Sequence, residues 1–279
     1  MIATRQSIGY SWLVTPADSG LTIGASAPNG EPAAQGTLTF RSITPAEHRA
    51  SFEAGVQPGH LRRGLGSALM SWAESAARAN YASNLRAGDT VHLRAEAADP
   101  PEGAVALYRS AGLELAVAED EMTRSLHDVP RLEVPSDLCL LSWGAMTAPL
   151  FFHAYDAAFR DRPGFPGWDE LRWRAAFTAS DAFIPESSMV LMDGPEPVAF
   201  AILWAEGETG WITQMGVRPE WRGKGIGEFL LSRAARSFAR RGLSHAALEV
   251  ATNNPHARAL YQRFGFEVAR SWQSWQKAL

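Results

Sequence analysis

The segment "VRPEWRGKGIG" at 217–227 has a second copy, "VQPGHLRRGLG" at 56–66, displaced by 161 positions. In both, an apolar run of strand character leads into glycines threaded with cations, and a run of helical period follows. A supersecondary unit repeated at that distance makes the chain two modules of related build. Its length agrees, since 279 residues suit two domains of roughly 140 residues each. With 46% hydrophobic and 20% charged residues the chain reads as soluble and globular, and a net charge of −4 argues against general nucleic-acid affinity, leaving any basic site local. Cys139 is the sole cysteine, which excludes an intrachain disulfide and a cysteine-rich metal site and suits a reducing cytoplasm.

The second half parses into a strand at 138–143, a helix from about Ala148 with "PLFFHAYDAAF", the loop "RDRPGFPGW" and a helix over "DELRWRAAF". Strands "SSMVLM", "PVAFAILWA" and "GWITQMGV" follow, separated by the turn signals "DGPEP" and "EGETG". A helix over 225–241 ends at Gly242, "HAALEV" is a strand, and a last helix starts near Asn254 and Pro255. The first half replays the tail of this order: strands "GTLTF" and "RASFEAGV", a helix from Gly64, strand "TVHLRAEA", and a helix with "AVALYRSAGL", which parallels "ARALYQRFGF". It lacks the opening strand and two helices; only "SIGYSWLVTP" and "LTIGASAP" precede its core. The expected boundaries are a shortened module at 1–123, a linker at 124–137 and a complete module at 138–279. "MIATRQSIGY" lacks the apolar core of a signal peptide. The stretch 138–155 holds no Asp, Glu, Lys or Arg, but Gly144, Thr147, Pro149 and His153 interrupt it, so it reads as strand plus helix and no membrane association is expected.

A strand that turns through glycines into a helix presents unpaired N–H groups at the positive end of the helix dipole, an anion site. Gly225 and Gly227 would let a diphosphate approach the backbone, with Arg222 and Lys224 adding charge. The plainer alternative is a solvated tight turn. A Walker loop fails because Lys224 is followed by Gly225 and Ile226; the spacing of Gly223, Gly225 and Gly227 is G-x-G-x-G, which suits a dinucleotide fingerprint poorly.

"VRPEWRGKGIGEFLL" followed by "ALEVATNNPHARALYQRFGFEV" resembles the GNAT acetyltransferase superfamily over about 50 residues. The loop matches that family's Arg/Gln-x-x-Gly-x-Gly/Ala motif at Arg222, Gly225 and Gly227; the first half resembles it more weakly, and the tandem arrangement, with "MTRSLHDVP" before the second module, is similar to the mycothiol synthases. The resemblance implies an α/β (α+β) fold of two modules, each a mixed, mostly antiparallel sheet flanked by helices. It further implies an N-acetyltransferase using acetyl-CoA and no metal, acting by direct transfer in a ternary complex. The 222–227 loop, with Gly223, Lys224 and Ile226, would hold the pyrophosphate, and Met215, Gly216 and Val217 would pair with pantetheine. Tyr261 matches the tyrosine that protonates the coenzyme sulfur; without the motif it reads as a core residue.

Glu249, 12 positions before Tyr261, resembles the glutamate of ribosomal-protein alanine acetyltransferases, which takes a proton from the amine through water. A buried carboxylate of raised pKa would serve, and a structurally paired surface acid is the other reading. Asn254 either binds coenzyme or caps a helix. Phe165 and Trp168, in a loop stiffened by two prolines, either wall the acceptor site or pin a surface loop. In the first module Leu61 replaces Arg222, Arg63 keeps the cation of Lys224, Asp99 with Glu102 forms a capping-box-like pair, and Glu96 and Tyr108 keep the 12-position spacing. That module is expected to be degenerate. The acceptor is a small-molecule or peptide amine, and the oligomer a monomer with an internal pseudo-dimer or a homodimer. The competing class is a non-catalytic acyl-CoA sensor or interaction protein.

Overall fold

The computed structural model describes residues 9–82, 85–133, 137–162, 165 and 167–279. The chain forms two compact units, Met1–Glu119 with Arg270–Leu279, and Asp120–Ala269. The first contains β1 (Ser11–Ala17), β2 (Gly20–Ser26), β3 (Pro32–Thr44), β4 (Glu47–Val56), α1 (Leu65–Tyr81), β5 (Thr90–Ala98), α2 (Glu102–Ser110) and the start of β6 (Glu114–Ser125). Strands β1 to β4 form an antiparallel meander, and β5 is parallel to β4 because α1 supplies the crossover. Ile23, Leu38, Phe52 and Leu93 of this sheet pack with Leu69, Trp72 and Ala76 of α1.

The second unit runs through β7 (Cys139–Ser142), α3 (Ala148–Phe159), α4 (Glu170–Thr178), β8 (Met189–Asp193), β9 (Glu196–Glu206), β10 (Thr209–Val217), α5 (Ile226–Arg240), β11 (His245–Ala251) and α6 (Pro255–Arg263), into β12 (Glu267–Ala278). Strands β7 to β10 are antiparallel, and β11 is parallel to β10 across α5. Both faces are covered. Phe229, Leu230, Ala234 and Phe238 of α5 pack on Leu191, Ala199, Leu203 and Ile212; Phe151, Tyr155 and Trp173 of α3 and α4 pack on Val190, Phe200 and Ile202. A strand buried on both faces loses polar alternation, which is why β9 reads as one apolar run.

The expected elements form within a few residues of their predicted ends, and 138–155 is a strand and a helix. No helix among the described residues is long and apolar enough to cross a membrane. Packing divides the chain differently from the sequence boundaries. Trp272 to Ala278 of β12 pair antiparallel with β5, fastened by Lys277 to Glu74 and by the Leu279 N–H to Val91 O. The segment read as a linker packs on the second unit: Met122 and Leu126 enter its core, and Ser232 donates to Pro130 O and accepts from the Leu132 N–H. Strands β6 and β12, polar and half exposed, have no counterpart in the sequence reading.

Candidate active site

The β10–β11 ladder runs from Thr209↔His245 to Ile212↔Leu248 and stops, while β10 stays paired with β9 as far as Val217↔Ala199. Beyond Ile212 the two parallel strands therefore diverge, leaving one edge of β10 at Met215, Gly216 and Val217 open to an extended ligand's amides. A bulge between Ile212 and Gln214 inverts the alternation of side chains at the same point. Ile212, Met215 and Val217 consequently share the α5 core, whereas Gln214 accepts from Trp173 Nε1 at 2.7 Å and Gly216 faces Ala158 and Phe159 of α3.

After β10 a short turn over Pro219–Trp221 leads to Gly223 (φ 75°) and Gly225 (φ 79°), both left-handed. Helix α5 starts at Ile226 after Gly225, which has no side chain to cap it, so the N–H groups of its first turn have no side-chain acceptor among the described residues. Glu228, the acid of that turn, is paired with Arg263 at 3.1 Å. Gly227 serves packing: a Cβ there would lie 2.8 Å from Leu260 Cδ2, which seats the start of α5 against α6 beside Tyr261. Lys224 makes no ion pair among the described residues, and its Nζ lies 4.4 Å from the Trp221 ring centroid.

Arg222 is bonded within the protein. Its guanidinium folds back, Nε donating to Val217 O at 3.1 Å and Nη2 to Ala158 O at 2.9 Å. It ties the end of β10 to the end of α3, whereas Lys224 makes no hydrogen bond or ion pair among the described residues and lies over the Trp221 ring. Tyr261 is buried, and burial pushes its hydroxyl up to about 12, opposed by the positive field of Arg162. Sequence reasoning missed Arg162, which lies 99 positions from Tyr261 with no motif to join them. Glu249 stands one residue beyond the last β10–β11 pair and is exposed; of the two readings left open for it, the buried carboxylate does not hold. Asn254 caps α6, accepting from the Ala257 N–H at 3.2 Å. Phe165 packs on Tyr155 with centroids 5.5 Å apart, and Trp168 lies 5.1 Å under the Arg172 guanidinium, so each ring has a protein partner. The loop's prolines, Pro163 and Pro166, lie outside the described residues.

Residues 150–266 match the family described as Acetyltransferase (GNAT) family. A mycothiol acetyltransferase of Kineococcus radiotolerans is 31% identical over 226 residues, covering 77% of this chain and 68% of that protein. The chain belongs to the GNAT acetyltransferase family. A second mycothiol acetyltransferase, from Clavibacter michiganensis, is 30% identical over 78% of this chain and 69% of its own length. The fold agrees with a GCN5-related N-acetyltransferase from Sphaerobacter thermophilus (TM-score 0.73, 23% identity, 92% of this chain and 80% of that one). It also agrees with a tandem GNAT protein from the clavulanic acid biosynthesis pathway (TM-score 0.60, 17% identity, 97% and 84%). Acetyltransferases of the GNAT family use acetyl-CoA as co-substrate, and no group of three or more His, Cys, Asp or Glu among the described residues could hold a metal.

The first unit repeats the GNAT geometry in reduced form. Its β4–β5 ladder stops at Phe52↔Ala95, α1 starts uncapped after Gly64 (φ 80°), and a Cβ on Gly66 would lie 3.0 Å from Leu107 Cδ2 of α2. Arg62 adopts φ 61° where the second unit has Gly223. Leu61 is exposed and tethers nothing; Arg63 donates to the Tyr10 hydroxyl at 3.4 Å. The expected capping pair is absent: the residue capping α2 is Pro101, with no side-chain bond, while Asp99 (φ 43°) accepts from the Ser271 N–H at 2.8 Å. Glu96 is paired with Arg94 at 3.5 Å, and burial raises the pKa of Tyr108.

Proposed function

We propose that the second unit transfers the acetyl group of acetyl-CoA directly to the primary amine of a small molecule, and that the first unit is non-catalytic. The observation that carries this is the divergence of β10 from β11 immediately before an uncapped, glycine-led α5. The first-turn N–H groups of α5 and Lys224 would hold the diphosphate, and the open edge of Met215 to Val217 would pair with the pantetheine amides. Arg222 and Asn254 are positioning residues, fixing the end of β10 and the start of α6.

Acetyl-CoA supplies an acyl group on a thioester whose departing sulfur needs a proton. Tyr261 holds that proton throughout the neutral range because burial disfavours its phenolate, while the field of Arg162 eases its release. Glu249, exposed beside the divergence, would accept the proton lost by the amine through water. As the N–C bond forms and the C–S bond breaks, one proton leaves nitrogen and one reaches sulfur. The name of the two relatives, mycothiol acetyltransferase, favours an acceptor related to mycothiol.

The test is calorimetry with acetyl-CoA, followed by coenzyme A release with a panel of amines including mycothiol precursors. One site per chain, with turnover on at least one amine, supports the proposal. Two sites would refute the division of labour, binding without turnover would make the chain a sensor, and no binding would sink the reading.

A further inference from the structure

Among the described residues the fold buries one charged side chain, and the chemistry of transfer gives it no role. Asp120 is 3% exposed and lies in the part of β6 that belongs to the second unit. Taking a carboxylate out of water costs free energy unless a cation meets it. Arg258 of α6 does so, its Nη1 standing 2.7 Å from Asp120 Oδ2. That arginine is three residues before Tyr261 on the same helix.

The same strand face grips α6 a second time. Side chains of a strand alternate between faces, so Asp120, Met122 and Arg124 share one. Met122 is fully buried in the core that holds Tyr261, Phe264 and Phe266. Arg124 Nη1 donates to Phe264 O, at the C-terminal end of α6, and the guanidinium lies 4.7 Å from the Phe264 ring centroid. Tyr261 is therefore midway between two anchors on β6. A further ion pair of this helix, Arg263 with Glu228 of α5, joins side chains 63% and 35% exposed, where such pairs contribute little. With nine residues, α6 has little stability of its own and takes its position from what it packs against.

Apolar replacement of a buried ion pair is often neutral or stabilising, so the placement it specifies explains such a pair better than stability does. What needs placing here is a hydroxyl: an acid displaced by about 1 Å from the departing sulfur costs on the order of a hundredfold in rate.

We propose that Asp120 is a positioning residue of the transfer site, acting through Arg258 to hold the turn of α6 that carries Tyr261. This rests on the reading of Tyr261 as the acid of acetyl transfer. It makes a strand whose sequence falls between the first module and the linker part of the second unit's site.

Asp120→Asn, made in the full chain both alone and with Tyr261→Phe, tests it through kcat, the KM for acetyl-CoA and amide hydrogen exchange along α5 and α6. Asp120→Asn alone should lower kcat about tenfold and leave the KM within about twofold. In the Tyr261→Phe background it should lower kcat no further, because a residue that acts through the hydroxyl then has nothing to place. Equal losses in the two backgrounds would mark a residue that only supports the fold and would overturn the proposal, as would an unchanged kcat in Asp120→Asn alone. Arg258→Ala, at a side chain 38% exposed, is expected to behave in the same way and carries the cycle should Asp120→Asn not fold. Exchange needs no acceptor: faster exchange confined to α6 is expected, and unchanged protection of α6, or equal loss along α5, overturns the placement. Absence of turnover by the unsubstituted chain with every amine would instead sink the proposed function, with the exchange data still deciding what Asp120 holds.

Discussion

Gly55 and Gly216 occupy equivalent places, one residue before the end of the strand that leads to each glycine loop, yet their surroundings are opposite. A Cβ on Gly216 would stand 2.8 Å from Phe200, 2.9 Å from Ala158 and 2.9 Å from Phe159; a Cβ on Gly55 would meet nothing. One position earlier but one, Gln214 is bonded by Trp173 of α4, and its counterpart Glu53 faces outward. The glycine loops, the uncapped helix starts and the diverging strands survive in both units. What separates them is the cover on the far face, supplied by α3 and α4, and the Arg222 tether that joins this cover to the loop. The loop and helix-start geometry is thus common to both units, and the second helical layer belongs to the second unit, where the transfer site is proposed.

The sharpest way to break this comparison is to remove one hydroxyl from each unit. Tyr261→Phe should lower kcat by about a hundredfold or more, the usual scale for a lost general acid, with acetyl-CoA affinity kept. Tyr108→Phe should leave kcat unchanged within about twofold, a difference too small to reflect lost transition-state stabilisation. Steady-state rates with matched calorimetry decide, and equal losses would make both units catalytic. The same residue predicts an alkaline effect on stability. Burial raises the folded pKa from 10 to about 12, so the contribution is fully present below pH 10 and lost as pH rises through about 12. The alkaline decline in thermal stability should be shallower in Tyr261→Phe.

Much of this was legible in the sequence because it is local. Glycine spacing, helix period and a cap residue act within a few positions, and so the loop at 222–227, α5, β10 and the Asn254 cap could be placed. What was not legible involves partners far along the chain. The tether made by Arg222 could not be read because its acceptor, Ala158 O, lies 64 positions upstream. Asp99 looked like a cap because its partner, Ser271, lies 172 positions downstream. Whether Glu249 is buried could not be read from the strand pattern around it, because its exposure follows from where the β10–β11 ladder ends. β6 and β12 escaped notice because half-exposed strands carry mixed polar residues and little alternation.

The paired glycines sharpen the comparison at the level of packing. Gly216→Ala forces three contacts to give at once, two of them aromatic, and should destabilise by about 1–3 kcal/mol, the cost of overpacking a core. Gly55→Ala should change stability by less than about 0.5 kcal/mol, as for surface substitutions. Urea midpoints measure both, and a tolerated Gly216→Ala would show that α3 does not press on β10. Next in size is the tether. Arg222→Ala removes two charge-assisted bonds at an exposed side chain and should cost about 1 kcal/mol. It should also weaken acetyl-CoA binding severalfold through the displaced end of β10. Arg222→Lys should not restore it, since one ammonium cannot reproduce the fork. Leu61→Ala in the first unit, exposed and without a tether, should do neither.

The smallest effect concerns the helix that carries each tyrosine. Asn254→Ala deletes the acceptor of the Ala257 N–H and should destabilise by about 1 kcal/mol, the usual cost of a lost N-cap. Because α6 presents Tyr261 six residues after that start, a fraying first turn should lower kcat more than it raises the KM for acetyl-CoA. In the first unit the corresponding stretch works differently: Asp99 sits at φ 43°, a conformation that suits glycine, and its carboxylate serves Ser271 rather than α2. Asp99→Gly therefore relieves backbone strain while deleting one exposed hydrogen bond, and the two should cancel to within about 0.5 kcal/mol. Hydrogen exchange at the starts of α6 and α2 separates the cases. Fraying in α6 alone is expected, whereas fraying of α2 in Asp99→Gly would restore Asp99 as a cap and bring the two units closer than their geometry implies.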